Sequence, residues 1–159
     1  QIIGGRVTDM VHNHHNYAWR EKHVIGGVEK DLWVVRKGAT PAFPGQRGFV
    51  GGSMGDDAVI LEGVDSAEAK ASLYSTVHGA GRLFGRNEAK RRFSRTEMDA
   101  WLQRRGVTLV GADLDESPMA YRRLDEVLAH HLNSVRVLHR LTPFAVVMAG
   151  EGEFDPFKD

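Results

Sequence analysis

Between residues 38 and 55 the chain places glycine at 38, 45, 48, 51, 52 and 55 and proline at 41 and 44. Proline removes a backbone donor and glycine leaves the backbone unconstrained, so the stretch is turn-dominated and exposes its peptide groups. On either side lie short aliphatic or β-branched runs, residues 32–36 and 58–61, which the pattern predicts as strands. Short elements joined by glycine turns are therefore the main constraint on the fold.

The rest of the chain adds helices. Val7, Met10, Val11, His14 and Ala18 fall at helical spacing and predict an amphipathic helix over residues 8–22, ended by Gly26-Gly27. Ser94-Arg95-Thr96-Glu97 has the form of a capping box. Met98, Trp101 and Leu102 supply the apolar face of the helix that follows, and Gly106 its stop. A last helix is predicted over residues 121–138, with Leu124, Val127, Leu128, His131, Leu132 and Val135 inward, and a short strand over 145–148. There is no internal repeat or low-complexity segment. The reading is one α+β domain, a mixed sheet with packed helices.

The 159 residues suffice for one domain with a core, and 42% apolar with 26% charged residues is usual for a globular protein. No apolar run approaches the roughly 20 residues of a membrane span. The chain has no cysteine, so no disulfide framework exists, and a cytoplasmic location is expected. Lys plus Arg, 21, equals Asp plus Glu, 21, so any RNA site must be a local patch. The opening Gln1-Ile2-Ile3-Gly4-Gly5 lacks a methionine, as expected of a piece of a longer protein.

Two histidine segments could carry chemistry. In His12-Asn13-His14-His15-Asn16, neutral imidazoles could bind a transition metal and Asn16 could orient a phosphate. A helix with solvated histidines fits the same spacing. In His78-Gly79-Ala80-Gly81-Arg82, small residues leave the imidazole uncrowded and let a phosphate approach, while Arg82 offers a permanent charge. A histidine so placed could attack phosphorus and form a phosphoramidate; a plain glycine turn fits equally. Gly51-Gly52-Ser53-Met54-Gly55 has the materials of an anion-binding loop. Arg36-Lys37 puts two cations at a strand end, where solvation is the commoner fate.

Taken in order, His15-Asn16, Arg36-Lys37-Gly38-Ala39, Gly52-Ser53-Met54-Gly55, His78-Gly79-Ala80-Gly81-Arg82 and Ala120-Tyr121 resemble the RtcB family of RNA ligases. The resemblance extends through nearly all of the chain, 1–159, and is to the C-terminal portion of a larger fold. It implies a GTP- and manganese-dependent ligase that joins RNA 3′-phosphate or 2′,3′-cyclic phosphate ends to 5′-hydroxyl ends. The substrates implied are RNA ends, such as tRNA halves or damaged RNA, and an archease-type activator is a possible partner. His78 matches the histidine that takes GMP, and His15 a manganese ligand supplied by a helix. Asn16, Ser53, Gly79, Ala80, Gly81, Arg82 and Tyr121 match the nucleotide-binding set, Tyr121 near the guanine. His15, Ser53 and His78 are expected to converge on a cleft open on one side.

The family's cysteine and its other metal ligands lie in an N-terminal part that these residues do not include. These 159 residues alone are therefore expected to be inactive. Many members end in Lys-Gly, whereas this chain has Ala149-Gly150 and runs on to Asp159. Gly85-Arg86 stands where Ser-Arg is common. Two other classes are a degenerate RNA-binding relative using the arginines at 91, 92, 95, 104 and 105, and a metal-dependent hydrolase using His12, His14 and His15.

Overall fold

The first regular element is a hairpin. Strand β1 (Asn16–Ile25) pairs antiparallel with β2 (Val28–Lys37), from Asn16 opposite Lys37 to Ile25 opposite Val28. Gly26 and Gly27, at φ +62° and +80°, form the two-residue turn between them, a conformation glycine adopts without strain. The structure, a computed structural model, describes residues 6–7 and 9–150.

The helix predicted over residues 8–22 is thus corrected to an irregular lead-in and a strand, with Thr8 outside the described residues. Tyr17, Trp19, Glu21 and His23 alternate onto one face, and cross-strand pairing outweighs the helical spacing upstream. The strand expected over 32–36 lies within β2, and the one over 58–61 within β5 (Ala58–Gly63).

Strand β3 (Ala39–Pro41) pairs with β6 (Ser75–Val77), and β4 (Arg47–Val50) pairs with β5. On its other side β5 takes β8 (Val135–Leu141), all antiparallel, with an irregularity between Ile60 and Leu61. A parallel pair joins β7 (Thr108–Val110) to β9 (Ala145–Val147), the strand expected near 145–148.

The helices are short: α1 (Ala67–Ala71), α2 (Arg86–Arg92), α3 (Arg95–Arg104) and α4 (Leu124–Leu128). The expected capping box is present at α3. Ser94 accepts from the Glu97 amide and the Glu97 carboxylate accepts from the Ser94 amide, which contributes about 1 kcal/mol. Gly106 follows at φ +68°.

The long helix predicted over 121–138 shrinks to α4. Its Leu124 and Leu128 are buried one turn apart, then the chain turns at residues 129–134 and becomes β8. Val135 and Val137, β-branched, pair with Gly63 and Leu61, which helix propensity cannot match.

Two apolar clusters form the core. One gathers Ala42, Val50, Val59, Leu61, Leu124, Leu128 and Val135 around the three-stranded sheet. The other gathers Met54, Met98, Leu102, Val107 and Ala112 beneath α3. Val50 and Met54 belong to different clusters, so the loop at residues 51–55 spans them and is held at both ends. Outside, Trp33 and Val35 of β2 are each 72% exposed, on a hairpin face that also carries the ion pairs Arg20–Asp31 and Lys22–Glu29.

Candidate active site

His15 lies at a bend just before β1 and not on a helix, which corrects the helical placement that the family resemblance implied. The open end of the hairpin is closed by Gly38, whose amide donates to the His15 carbonyl at 2.9 Å and to Asn16 Oδ1 at 3.3 Å. Gly38 has φ +69°, and a Cβ there would be 3.6 Å from both Cδ2 and Nε2 of the His78 ring. The imidazoles of His15 and His78 stack, with centroids 5.0 Å apart and planes 7° from parallel.

His78 follows directly after β6. Burial, and then the neighbouring His15, hold its pKa below the ordinary histidine value. The neutral form is therefore favoured, and a neutral imidazole keeps one nitrogen lone pair free.

The glycines around His78 are dictated by close backbone approach. Gly51 bridges Gly79, and the Ala80 amide donates to the Gly51 carbonyl at 3.0 Å. A Cβ on Gly79 would lie 3.2 Å from that carbonyl oxygen, and one on Gly52 only 2.5 Å from the Asp57 carbonyl. On the far side, Gly81 accepts from the Arg122 amide and Arg82 bridges Tyr121. The histidine segment is thus stitched to the 51–55 loop on one side and to residues 120–122 on the other.

Ser53 is buried in that loop, and its Oγ has no hydrogen-bond partner among the described residues. Of the three residues expected to converge, His15 and His78 meet ring to ring, while Ser53 is tied to them through the Gly51–Gly79 backbone bridge. The loop is anchored from behind. Arg105 Nε donates to the Gly55 carbonyl at 2.7 Å, and Asp56 accepts from Arg123 at 2.8 Å and from the Leu124 amide at 3.3 Å.

Arg82 is engaged by the protein itself. Its Nη1 donates to the Tyr121 hydroxyl at 2.6 Å, its Nε to the Phe84 carbonyl at 3.1 Å, and its Nη2 to the Asp115 carbonyl. The Tyr121 hydroxyl in turn donates to Glu116. Burial first, and then this bond to Glu116, push the Tyr121 pKa up to about 12. Arg86 pairs with both Asp115 and Glu116. Gly85 is the N-cap of α2 and supplies no side-chain cap.

Other expectations are redrawn. His12 and His14 pack edge to face with ring centroids 4.8 Å apart, and His14 turns toward Tyr17 and Trp19. Among the described residues no three His, Asp or Glu groups converge as a metal site, so the trio His12, His14 and His15 is not assembled. Arg36, expected at a solvated strand end, is 1% exposed; Lys37 beside it is exposed. Of the arginines expected on a solvated or RNA-binding helix face, Arg92 pairs with Glu88, Arg95 with Asp99, and Arg105 with Asp56. Ala149 accepts from the Ala112 amide, and the tail beyond Gly150 lies outside the described residues.

Sequence reasoning missed Glu116 and Asp115, which hold Arg82 and Arg86, and Asn13, whose side chain pairs with the Phe49 backbone in both directions. Acidic residues just before Pro118 were the available signal for the first pair.

The model of the family described as tRNA-splicing ligase RtcB matches residues 4–149. A tRNA-splicing ligase RtcB of Nanoarchaeum equitans is 36% identical over 152 residues, covering 84% of this chain and 32% of that protein. The RNA-splicing ligase RtcB of Escherichia coli K12 is 37% identical over 131 residues, covering 80% and 30%. That of Mycobacterium tuberculosis is 34% identical over 152 residues, covering 84% and 34%. The chain spans about a third of the length of these curated relatives. With its histidine segment, glycine loop and Arg82–Tyr121 bridge all inside the matched span, the chain belongs to the RtcB family.

Proposed function

We propose that this chain is the C-terminal, nucleotide-handling portion of an RNA ligase that joins RNA ends through a GMP-charged His78. The observation that carries the reading is the His78 imidazole, neutral-favoured, flanked by glycines at positive φ and stacked on His15. Such a ring can present a lone pair to phosphorus without a side chain in the way.

In this reading His78 attacks the α-phosphate of GTP, a nitrogen–phosphorus bond forms, and pyrophosphate leaves. The GMP then passes to an RNA 3′-phosphate, itself present or generated from a 2′,3′-cyclic phosphate, and His78 is regenerated. Attack by the 5′-hydroxyl of the second RNA end completes the phosphodiester and releases GMP. Ser53 fits a nucleotide contact, since its buried hydroxyl has no partner among the described residues. Asn16, Gly79, Ala80 and Gly81 line the approach to the ring. Arg82 and Tyr121 form the wall beyond it, with Tyr121 near the base.

For manganese the fit is partial. His15 supplies one donor and no three donors converge among the described residues, so no step is routed through the metal. When bound, manganese would neutralise phosphate oxygens as charge moves between them. His15 would hold it beside the reacting phosphate, and the other ligands would come from the family's N-terminal part. An archease-type activator and a cytoplasmic setting belong to the same reading. Among the described residues no helix is long and apolar enough to cross a membrane.

The test is ligation by the full-length protein. With GTP and manganese, an RNA ending in a 3′-phosphate and one beginning with a 5′-hydroxyl should be joined. No joined product, with the protein folded and metal-loaded, would overturn the reading.

A further inference from the structure

Arg36 lies in the buried space between the element that presents His15 and the element that presents His78. A guanidinium has five N–H donors in a rigid fork, and here all are used. Nε donates to Ser75 Oγ at 2.9 Å. Nη1 donates to Tyr17 Oη at 3.2 Å and to Glu21 Oε1 at 2.5 Å. Nη2 donates to Glu21 Oε2 at 3.0 Å and to the Leu73 carbonyl at 2.9 Å.

The acceptors fall into two groups. Tyr17 and Glu21 belong to β1, which begins one residue after His15. Leu73 and Ser75 belong to the turn and strand that lead into His78. The turn has Leu73 and Tyr74 at φ +53° and +50°, a left-handed conformation that costs non-glycine residues about 1–3 kcal/mol each and persists only when neighbours hold it. The bond from Arg36 to the Leu73 carbonyl is such a hold. Two residues after Arg36 comes Gly38, where an added Cβ would come within 3.6 Å of the His78 ring.

Glu21 is kept ionised inside this network. Burial pushes its pKa up, but the bonds from Arg36 and His23 outweigh it, and the net shift is downward. His23 Nε2 lies 2.8 Å from Glu21 Oε2, and since a carboxylate only accepts, the proton is on that nitrogen. Together these bonds clamp two segments that share no strand pairing, since β1 pairs with β2 and β6 with β3.

We propose that Arg36 is a positioning residue for the His15–His78 pair, setting the two imidazoles in register by bonding both segments that present them. The proposal deepens the ligation reading above, and its geometric arm stands apart from that reading. All five N–H groups of Arg36 are taken by the protein, so it acts on the two rings through Ser75, Tyr17 and its own strand leading to Gly38.

The experiment uses the full-length protein with histidines isotopically labelled. It reads the through-space NMR contact between the rings of His15 and His78, the rate of His78–GMP formation with its GTP dependence, and the melting temperature. Arg36→Lys keeps a cation beside Glu21 but cannot reach five acceptors. It should lose the ring-to-ring contact and slow adduct formation about 10- to 100-fold at saturating GTP, with KM for GTP changing less than about threefold. Ser75→Ala should give a smaller loss in the same direction, and Ser75→Thr, which restores the hydroxyl, should recover it. A purely structural arginine predicts otherwise: a lower melting temperature with contact and rate unchanged below it. That result would overturn the proposal. If Arg36→Lys does not fold, the Ser75→Ala and Ser75→Thr pair decides. If the parent forms no adduct, the ligation reading fails, and the ring contact in the same variants still decides the positioning role.

Discussion

The imidazole of His15 lies parallel to that of His78 at 5.0 Å, although one precedes a hairpin strand and the other follows a strand of a separate sheet. Stacking sets His15 against His78, and burial, with the neighbouring His15 as a second cause, disfavours a proton on His78. Gly38, beside the pair, has φ +69°, a conformation that favours glycine, and an added Cβ would come within 3.6 Å of the His78 ring.

The first prediction follows from the His78 ring. Full-length protein incubated with labelled GTP and manganese should retain label in an acid-labile covalent adduct, and His78→Ala should reduce it to background. Label retained by the variant would remove His78 from the nucleophile role.

His15 and His12 should differ. His15 touches His78, whereas His12 contacts His14. His15→Ala should depress both manganese affinity and adduct formation by about 10- to 100-fold, and His12→Ala should change either by less than about twofold. Equal, small effects at the two positions would return both residues to the surface.

Residues 1–159 by themselves should neither bind two manganese ions tightly nor form the GMP adduct, since no three donors converge among those described. Calorimetric titration of this chain should show weak binding at most, and the full-length protein should restore stoichiometric binding and the adduct. Tight binding by the chain alone would contradict this.

Tyr121 offers a pH signature. Its folded-state pKa of about 12 lies above the ordinary 10.0, because burial and the bond to Glu116 oppose the phenolate. The linked stability is fully present below pH 10 and is lost as pH rises toward 12. Ultraviolet titration should show one phenol ionising near pH 12, absent in Tyr121→Phe. A normal titration at every tyrosine would exclude the half-buried Tyr121–Glu116 bond.

Gly55→Ala tests the loop anchor. Gly55 has φ +75°, and a Cβ there would meet Leu102 Cδ2 at 2.6 Å and Trp101 Cζ3 at 2.8 Å. The substitution should lower unfolding free energy by about 1–3 kcal/mol in denaturant titration. An unchanged midpoint would mean that the loop is free to move off α3.

Features closed within a few residues were legible from the chain alone. Ser94 and Glu97 cap α3 reciprocally, Gly106 ends it, and Gly52 packs against the Asp57 carbonyl five residues on, because in each case the partner or the steric demand is local. The motif order from His15 to Tyr121 carried the family for the same reason: it is written in residue types. What required the third dimension was partnership between distant segments. Residues 16–25 are a strand because residues 28–37 pair with them, and Val135–Leu141 became a strand because β5 has an open edge. Arg36 is buried because five acceptors from two other segments meet it, and nothing local separates it from exposed Lys37. Local spacing records propensity, but the pairing energy of a strand and the desolvation of an arginine depend on atoms that only folding brings near.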